Sequence, residues 1–319
     1  MRHLFQYFTI ITLLCTSIHI VRGQQLPLFT QYSEYKQLIN PAALNNDYFR
    51  RDYKNHVSGS YRYQWTSVPG GPKTQVLKYD RVLDGYDGIN WSVGGHLIND
   101  QTGPTGFSGA FLRLNAILTP DIKEEGLGIG LTVGAVQYRV NVNELEFLDP
   151  ELLEYDNERK LAPDVGLGVF YYKNTGGGAN RDNMFYAGLS VPQLLGWNLF
   201  FDKYSEKFSI KRVPHFYGVL GYNHDVTEEF YIEPTVWLRY VYQSIFSADF
   251  NIRCYFKDNF WIGGGISTAA NFHLDVGVLI GPNIGYESVF KIGYAFDRAW
   301  TTYGPFFGYA HELNLSYSF

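Results

Sequence analysis

Cysteine is almost absent from this chain: of the two present in 319 residues, Cys15 lies in the leading apolar stretch and only Cys254 in the remainder. With the leader removed no intramolecular disulfide can form, so an exported chain of this length must be held together by other means. Long apolar runs are missing too. Beyond the leader nothing reaches the roughly 18 consecutive apolar residues of a membrane-spanning helix, which leaves a closed β-barrel as the way for such a chain to cross a bilayer. There is no excess of basic charge, since 26 Lys and Arg stand against 31 Asp and Glu for a net charge of -5. Nucleic-acid binding, which needs a basic patch or stripe, therefore has no support. An enzyme needs a converging nucleophile, base and electrostatic partner, and no such set is visible. The histidines at positions 56, 96, 215, 224, 273 and 311 are scattered, without metal-ligand spacing or a cysteine beside them. No catalytic residue, metal or cofactor is expected. Gly-Gly-Gly at 176–178 falls in an expected turn rather than between strand and helix, which excludes a phosphate loop.

What is present is aromatic and glycine-rich: 26 Tyr, 24 Phe and 33 Gly, with only 18% charged residues. That balance favours many short strands and tight turns in one large all-β domain. Residues 1–23 read as a secretory signal, with Arg2 and His3 as the basic start, Ile10, Ile11, Leu13 and Leu14 as the apolar centre, and Val21-Arg22-Gly23 as the cleavage site. Leu14 is bulky where lipid attachment at Cys15 would need a small residue. Residues 24–51, punctuated by Pro27, Pro41 and Asn45-Asn46, lack alternation and form an irregular N-terminal segment, a plug or a periplasmic piece. Residues 52–319 form the barrel.

The strongest strand signal is the last nine residues. Leu313, Leu315, Tyr317 and Phe319 share one face, and Glu312, Asn314, Ser316 and Ser318 the other. A terminal strand with an aromatic end is what an outer-membrane barrel uses for closure, although an edge strand of a soluble sandwich has the same pattern. Upstream, two-residue periods cover 57–65, 74–81, 89–98, 107–118, 127–140, 164–172, 184–191, 215–222, 230–240, 246–256, 260–267, 272–280 and 289–296. The expected fold is a transmembrane antiparallel barrel of about 14 strands, within a range of roughly 12 to 16. Leu127, Ile129, Leu131, Val133 and Ala135 alternate with Gly128, Gly130, Thr132 and Gly134. Phe246, Ala248, Phe250, Ile252 and Cys254 alternate with Ser247, Asp249, Asn251 and Arg253. Lys291 and Asp275 also fall on the lumen side, whereas a lysine or arginine at the lipid midplane would cost about 2–4 kcal/mol. Pro234 runs against this assignment, because inside a strand it removes a ladder hydrogen bond.

If the N-terminus is periplasmic, the two longest connections, 141–163 and 192–213, both face outward, while 224–229 and 257–259 are short periplasmic turns. The first is acidic, with Glu144, Glu146, Asp149, Glu151, Glu154, Asp156 and Glu158 against Arg159 and Lys160. The second carries Lys203, Lys207, Lys211 and Arg212 against Asp202 and Glu206. They are candidate walls of one mouth. A barrel of this strand number has a backbone diameter of about 28 Å, too wide for wall side chains to fill, so water, the N-terminal segment or a partner must occupy it.

Phe29-Thr30-Gln31-Tyr32, Ile39-Asn40-Pro41-Ala42-Ala43, Arg62-Tyr63-Gln64-Trp65 with Gly71-Pro72-Lys73-Thr74-Gln75, Asn99-Asp100-Gln101-Thr102-Gly103, and His311-Glu312 together resemble the PorP/SprF family. The resemblance implies an outer-membrane protein of Bacteroidota, associated with type IX secretion and gliding motility. It would anchor or assist export of a surface protein through that protein's C-terminal domain and touch periplasmic components of the machinery. The partner-binding residues it implies are Gln31, Tyr32, Asn40, Pro41, Arg62, Trp65, Pro72, Thr74, Asn99, Asp100, His311 and Glu312. The alternative is a plugged outer-membrane transporter of small or hydrophobic solutes.

Overall fold

The computed structural model describes residues 29–141, 158–176, 183–200, 209–242, 246–256, 259–281, 285–300 and 304–319. A 3-10 turn (Tyr32–Glu34) and two short helices, α1 (Lys36–Ile39) and α2 (Asn46–Arg51), precede the strands. These are β1 (Asn55–Tyr63), β2 (Lys73–Tyr86), β3 (Ile89–Thr102), β4 (Thr105–Asp121), β5 (Glu125–Val140), β6 (Glu158–Asn174), β7 (Met184–Val191), β8 (Asn198–Phe200), β9 (Ser209–Lys211), β10 (His215–Thr227), β11 (Phe230–Val241), β12 (Phe246–Phe256), β13 (Phe260–Ser267), β14 (Asn271–Ile280), β15 (Val289–Ala299) and β16 (Tyr309–Ser318). A single helical turn, α3 (Gly304–Phe307), lies before β16. All but β8 and β9 form one closed antiparallel barrel of 14 strands, in which β16 pairs with β1. At the seam Asn55 and Phe319 exchange backbone hydrogen bonds of 2.9 and 3.0 Å.

The barrel is inside out by the standards of a soluble protein. On β2, Thr74, Val76, Lys78, Asp80 and Val82 are buried, while Gln75, Leu77, Tyr79 and Arg81 are exposed. Leu112 is 73% and Leu274 58% exposed, yet Lys36 and Glu233 are each 1% exposed. A belt of leucine, valine, isoleucine and aromatic side chains round a closed sheet is far more apolar surface than a water-soluble monomer leaves bare. Charged groups, by contrast, are gathered where they meet partners. That distribution rules out the soluble sandwich and fits a barrel whose outer face meets lipid. Lys291 and Asp275 do point inward, and Leu274 and Val276 outward.

Every strand expected from alternation is present, but several are longer. β2, β4, β6 and β10 run past the apolar belt into polar sequence, where the two-residue pattern fades. Residues 158–163, expected in the acidic connection, belong to β6. Pro163 is tolerated there because the ladder from β6 to β7 starts only at Leu167, so one edge of the strand is free of a partner. Pro234 sits where β11 and β10 skip pairing: the ladder passes from Gly221 with Thr235 to His224 with Ile232 without changing register. The remaining acidic connection, residues 142–157, lies outside the described residues, as do 201–208 of the second connection and the leader. That second connection also contains the small β8–β9 hairpin.

Residues 29–51, the described part of the segment expected to be irregular, hold the 3-10 turn and both helices and lie inside the barrel. Elements of three to six residues are too short to leave a measurable period. The Asn45-Asn46 pair marks a helix start: the Asn45 side chain accepts from Asp47 N at 2.8 Å, a regular N-cap. The segment begins near the end carrying the long connections, where Thr30 meets Arg62 and Asp297, and leaves at the opposite end, where Asp52 pairs with Lys123. Phe29, Tyr35, Leu38, Ile39 and Leu44 form the main apolar core with Val76, Ile98, Phe170 and Trp237 from the wall.

Candidate functional site

The luminal segment is held differently by two arcs of the wall. Along β10–β15 the contacts are ionic. Lys36 Nζ lies 2.8 Å from Glu233 Oε1, and that carboxylate also accepts from Asn46 (2.9 Å), Tyr186 (2.7 Å) and Tyr255 (3.2 Å). Glu34 pairs with Arg253 (3.1 Å), which in turn binds Asp275 (2.7 Å). Asp47 takes Lys291 (2.5 Å) and Arg51 (3.1 Å). Arg50 binds Asp225 (2.8 Å). Such charges are tolerable in a closed interior because each is paired, and Glu233 and Asp47 accept further hydrogen bonds.

Burial pushes the Asp47 carboxyl up, but Lys291 and Arg51 outweigh it and hold its pKa well below the ordinary carboxylate value. Glu34 behaves alike, lowered against its burial by Lys291 and Arg253. Burial draws the Lys36 ammonium pKa down, and Glu233 opposes it without reversing the direction.

Along β4–β7 the segment's own backbone meets the wall. Arg113 donates to Pro41 O (2.9 Å), Asn115 to Ala42 O (2.9 Å) and Ser190 to Ile39 O (2.9 Å). Asn40 does the reverse, donating from Nδ2 to Val169 O (3.0 Å) while its Oδ1 accepts from Ala42 N (2.9 Å). This close approach needs an inner wall without side chains. A Cβ on Gly130 would lie 2.3 Å from both Ala42 N and the Pro41 carbonyl carbon, and one on Gly168 2.1 Å from Asn40 Oδ1.

The motif residues fall into distinct places. Glu312, Arg62, Thr74 and Asp100, far apart in sequence, are successive register partners across β16, β1, β2 and β3, so they form one inward row. Arg62 binds Glu312 (3.2 Å) and Asp297 (2.5 Å), and Thr74 donates to Asp100 (2.6 Å). Gln31 joins this row through its backbone N–H to Glu312 (3.3 Å), with its side-chain amide buried and without a partner. Tyr32 stacks on Trp237 at 5.1 Å. Asn40 and Pro41 stand apart against the glycine wall.

Trp65 and Pro72 bound the β1–β2 connection. There Gln64 N donates to Pro72 O (2.8 Å), and Gly71 is confined because a Cβ would lie 2.4 Å from Gln64 O. Trp65 meets Phe307 at 5.3 Å and Ser67 N reaches Phe307 O (3.3 Å), so this connection leans on the loop above the β1–β16 seam. Asn99 and His311 point outward, Asn99 to Ser108 (2.8 Å) and His311 to Tyr294 (2.6 Å). Leu313, Leu315 and Tyr317 also face out, beside the seam.

One grouping was not foreseeable from spacing. Ser318, His56 and Asp47 meet in the lumen like a hydrolytic triad, but the hydrogen bonds run the wrong way. Ser318 donates to Asp47 (2.8 Å), so His56 Nδ1 must donate to Ser318 Oγ (2.8 Å), while Nε2 has no partner. The imidazole cannot take the serine proton, which is the step a triad performs. Among the described residues no group of three or more His, Cys, Asp or Glu side chains is placed to hold a metal.

The family model for type IX secretion system membrane proteins PorP/SprF matches residues 21–317. The chain belongs to that family. PorP/SprF membership and the lipid-facing barrel together make this an outer-membrane protein that crosses by its strands. No curated protein matches the sequence. Solved barrels similar to it include the outer membrane protein Omp33 of Acinetobacter baumannii (TM-score 0.44, 9% identity, covering 84% of this chain and 98% of that one). Others are the CymD monoaromatic hydrocarbon channel (0.46, 9%, 93% and 94%) and the Pseudomonas putida toluene transporter TodX (0.43, 8%, 95% and 99%). Likenesses at these scores carry no argument about what this PorP/SprF barrel binds.

Proposed function

We propose that this PorP/SprF barrel is a non-catalytic partner in type IX secretion and gliding, holding a surface protein through its C-terminal domain and contacting periplasmic components of the machinery. The observation that carries the reading is the occupied lumen: residues 29–52 are bonded to strands right round the ring, which suits a docking platform better than a solute conduit. In this reading residues 29–52 are the plug, with Gln31, Tyr32, Asn40 and Pro41 fixing it. The row Arg62, Thr74, Asp100 and Glu312 and the rim at Trp65 and Pro72 shape the partner-facing end, beside outward Asn99 and His311. The long connections face the cell exterior.

Two measurements test this together. Affinity purification of the full chain from outer membranes should bring down a surface protein that is lost when its C-terminal domain is deleted. In planar bilayers the purified barrel should show no steady conductance. Steady conductance without any retained surface protein would instead support a transporter.

A further inference from the structure

On the outer face of β2–β6, toward the end with the long connections, the surface is dented. Ala110 and Ala135 are cross-strand partners there, and with Gly109 they floor a groove of about 630 Å³ between Leu97 on one flank and Leu161 on the other. One step toward the rim the row turns polar. Arg139 donates to Ser108 Oγ (2.7 Å) and Asn99 Oδ1 (3.0 Å), both of which line the groove, and to Asp100 O (3.3 Å). All three acceptors are neutral. The direct cross-strand partner of Arg139 is Arg159. Like charges placed opposite each other on one face of a sheet repel, and among the described residues neither guanidinium is paired with a carboxylate.

We propose that the groove and the two arginines form a binding site for an anionic phospholipid. The phosphate would bridge Arg139 and Arg159, whose planar forks suit phosphate oxygens and whose mutual repulsion it would cancel. One acyl chain would lie along Ala110 and Ala135, replacing the side chains that this part of the apolar belt lacks. The occupant is a lipid rather than a soluble anion because the groove continues from the cations into the apolar, lipid-facing belt.

Native mass spectrometry of the full chain in detergent, titrated with phosphatidylglycerol or phosphatidylcholine, tests the site. Phosphatidylglycerol should be retained at about tenfold lower lipid concentration, a difference within reach of one or two charge-assisted contacts. The double variant Arg139→Gln with Arg159→Gln should lose the preference. Ala110→Leu with Ala135→Leu, which fills the groove and keeps the charge, should lose retention of both lipids. Millimolar inorganic phosphate should displace neither. Equal retention of the two lipids, an unchanged preference in the arginine variant, displacement by phosphate alone, or a second copy of the chain covering the groove would each overturn the proposal. Heat-modifiable mobility checks folding. Should a double variant fail that check, the single Arg159→Gln, at an exposed side chain, still reads the preference.

Discussion

The two arcs that grip the luminal segment solve one problem with opposite chemistry. The β10–β15 arc uses charged side chains that reach inward to Glu34, Lys36, Asp47 and Arg50. The β4–β7 arc omits side chains at Gly130 and Gly168, where the backbone of residues 40–42 settles against it, and Arg113, Asn115 and Ser190 donate to the carbonyls of residues 39–42. Ionic contacts are strong only while both partners are present, and they respond to proton activity. A glycine wall is indifferent to pH and salt but unforgiving of volume. A partner that needed to free the segment could act on the ionic arc without disturbing the other.

Removing one charge should produce the largest effect. Lys36→Met leaves Glu233 buried without its cation, and breaking one side of a buried pair costs about 3–5 kcal/mol. The expected outcome is a folded barrel whose segment is cut readily by protease and whose lumen conducts intermittently. Adding Glu233→Gln to Lys36→Met should restore much of the protection. No recovery in the double variant would mean that packing rather than the ion pair holds this arc.

On the glycine arc the effect should be smaller. Gly130→Leu forces the wall into the backbone at Pro41 and Ala42, and overpacking of this kind costs about 1–3 kcal/mol. Gly59→Leu on β1, where the nearest atom to a new Cβ is 3.9 Å away, serves as the control. Protease sensitivity of residues 40–44 should rise in the first and not in the second. Equal behaviour of the two would show that the segment does not depend on this close approach.

How far the sequence could be read follows from the same contrast. Alternation located every barrel strand because lipid demands an apolar side chain at each outward position. It failed at strand ends, as at residues 158–163, because water makes no such demand there. The glycines at 128 and 130 were visible as the inward half of a pattern, but what they make room for was not, since Pro41 lies some ninety positions earlier and no periodicity links them. The inward row of Arg62, Thr74, Asp100 and Glu312 came from motif likeness alone; register and barrel closure bring it together. The lumenal helices were missed because one turn of helix has no period.

The smallest effect, and the one that separates the arcs most cleanly, is acid sensitivity. Docking lowers the pKa of Asp47 and of Glu34, so both carboxylates stabilise the docked state fully above the value each has when free, near 4, and that stabilisation fades as pH falls toward the depressed values. Lys36 adds nothing of the opposite sign: its pKa is lowered by docking, so it too favours the docked state as pH rises. The contribution of these two carboxylates to the protection of residues 29–52 should therefore be flat from about pH 6 to 8. By about pH 4 the two carboxylates together should have lost less than about 1 kcal/mol, with steeper loss below. Asp47→Asn should flatten the acid limb while lowering protection at neutral pH, because Lys291 then faces a neutral amide. Gly130→Leu should shift the whole curve down without changing its shape. If the Gly130→Leu curve instead steepens in acid, the two arcs are coupled and the segment releases as one unit.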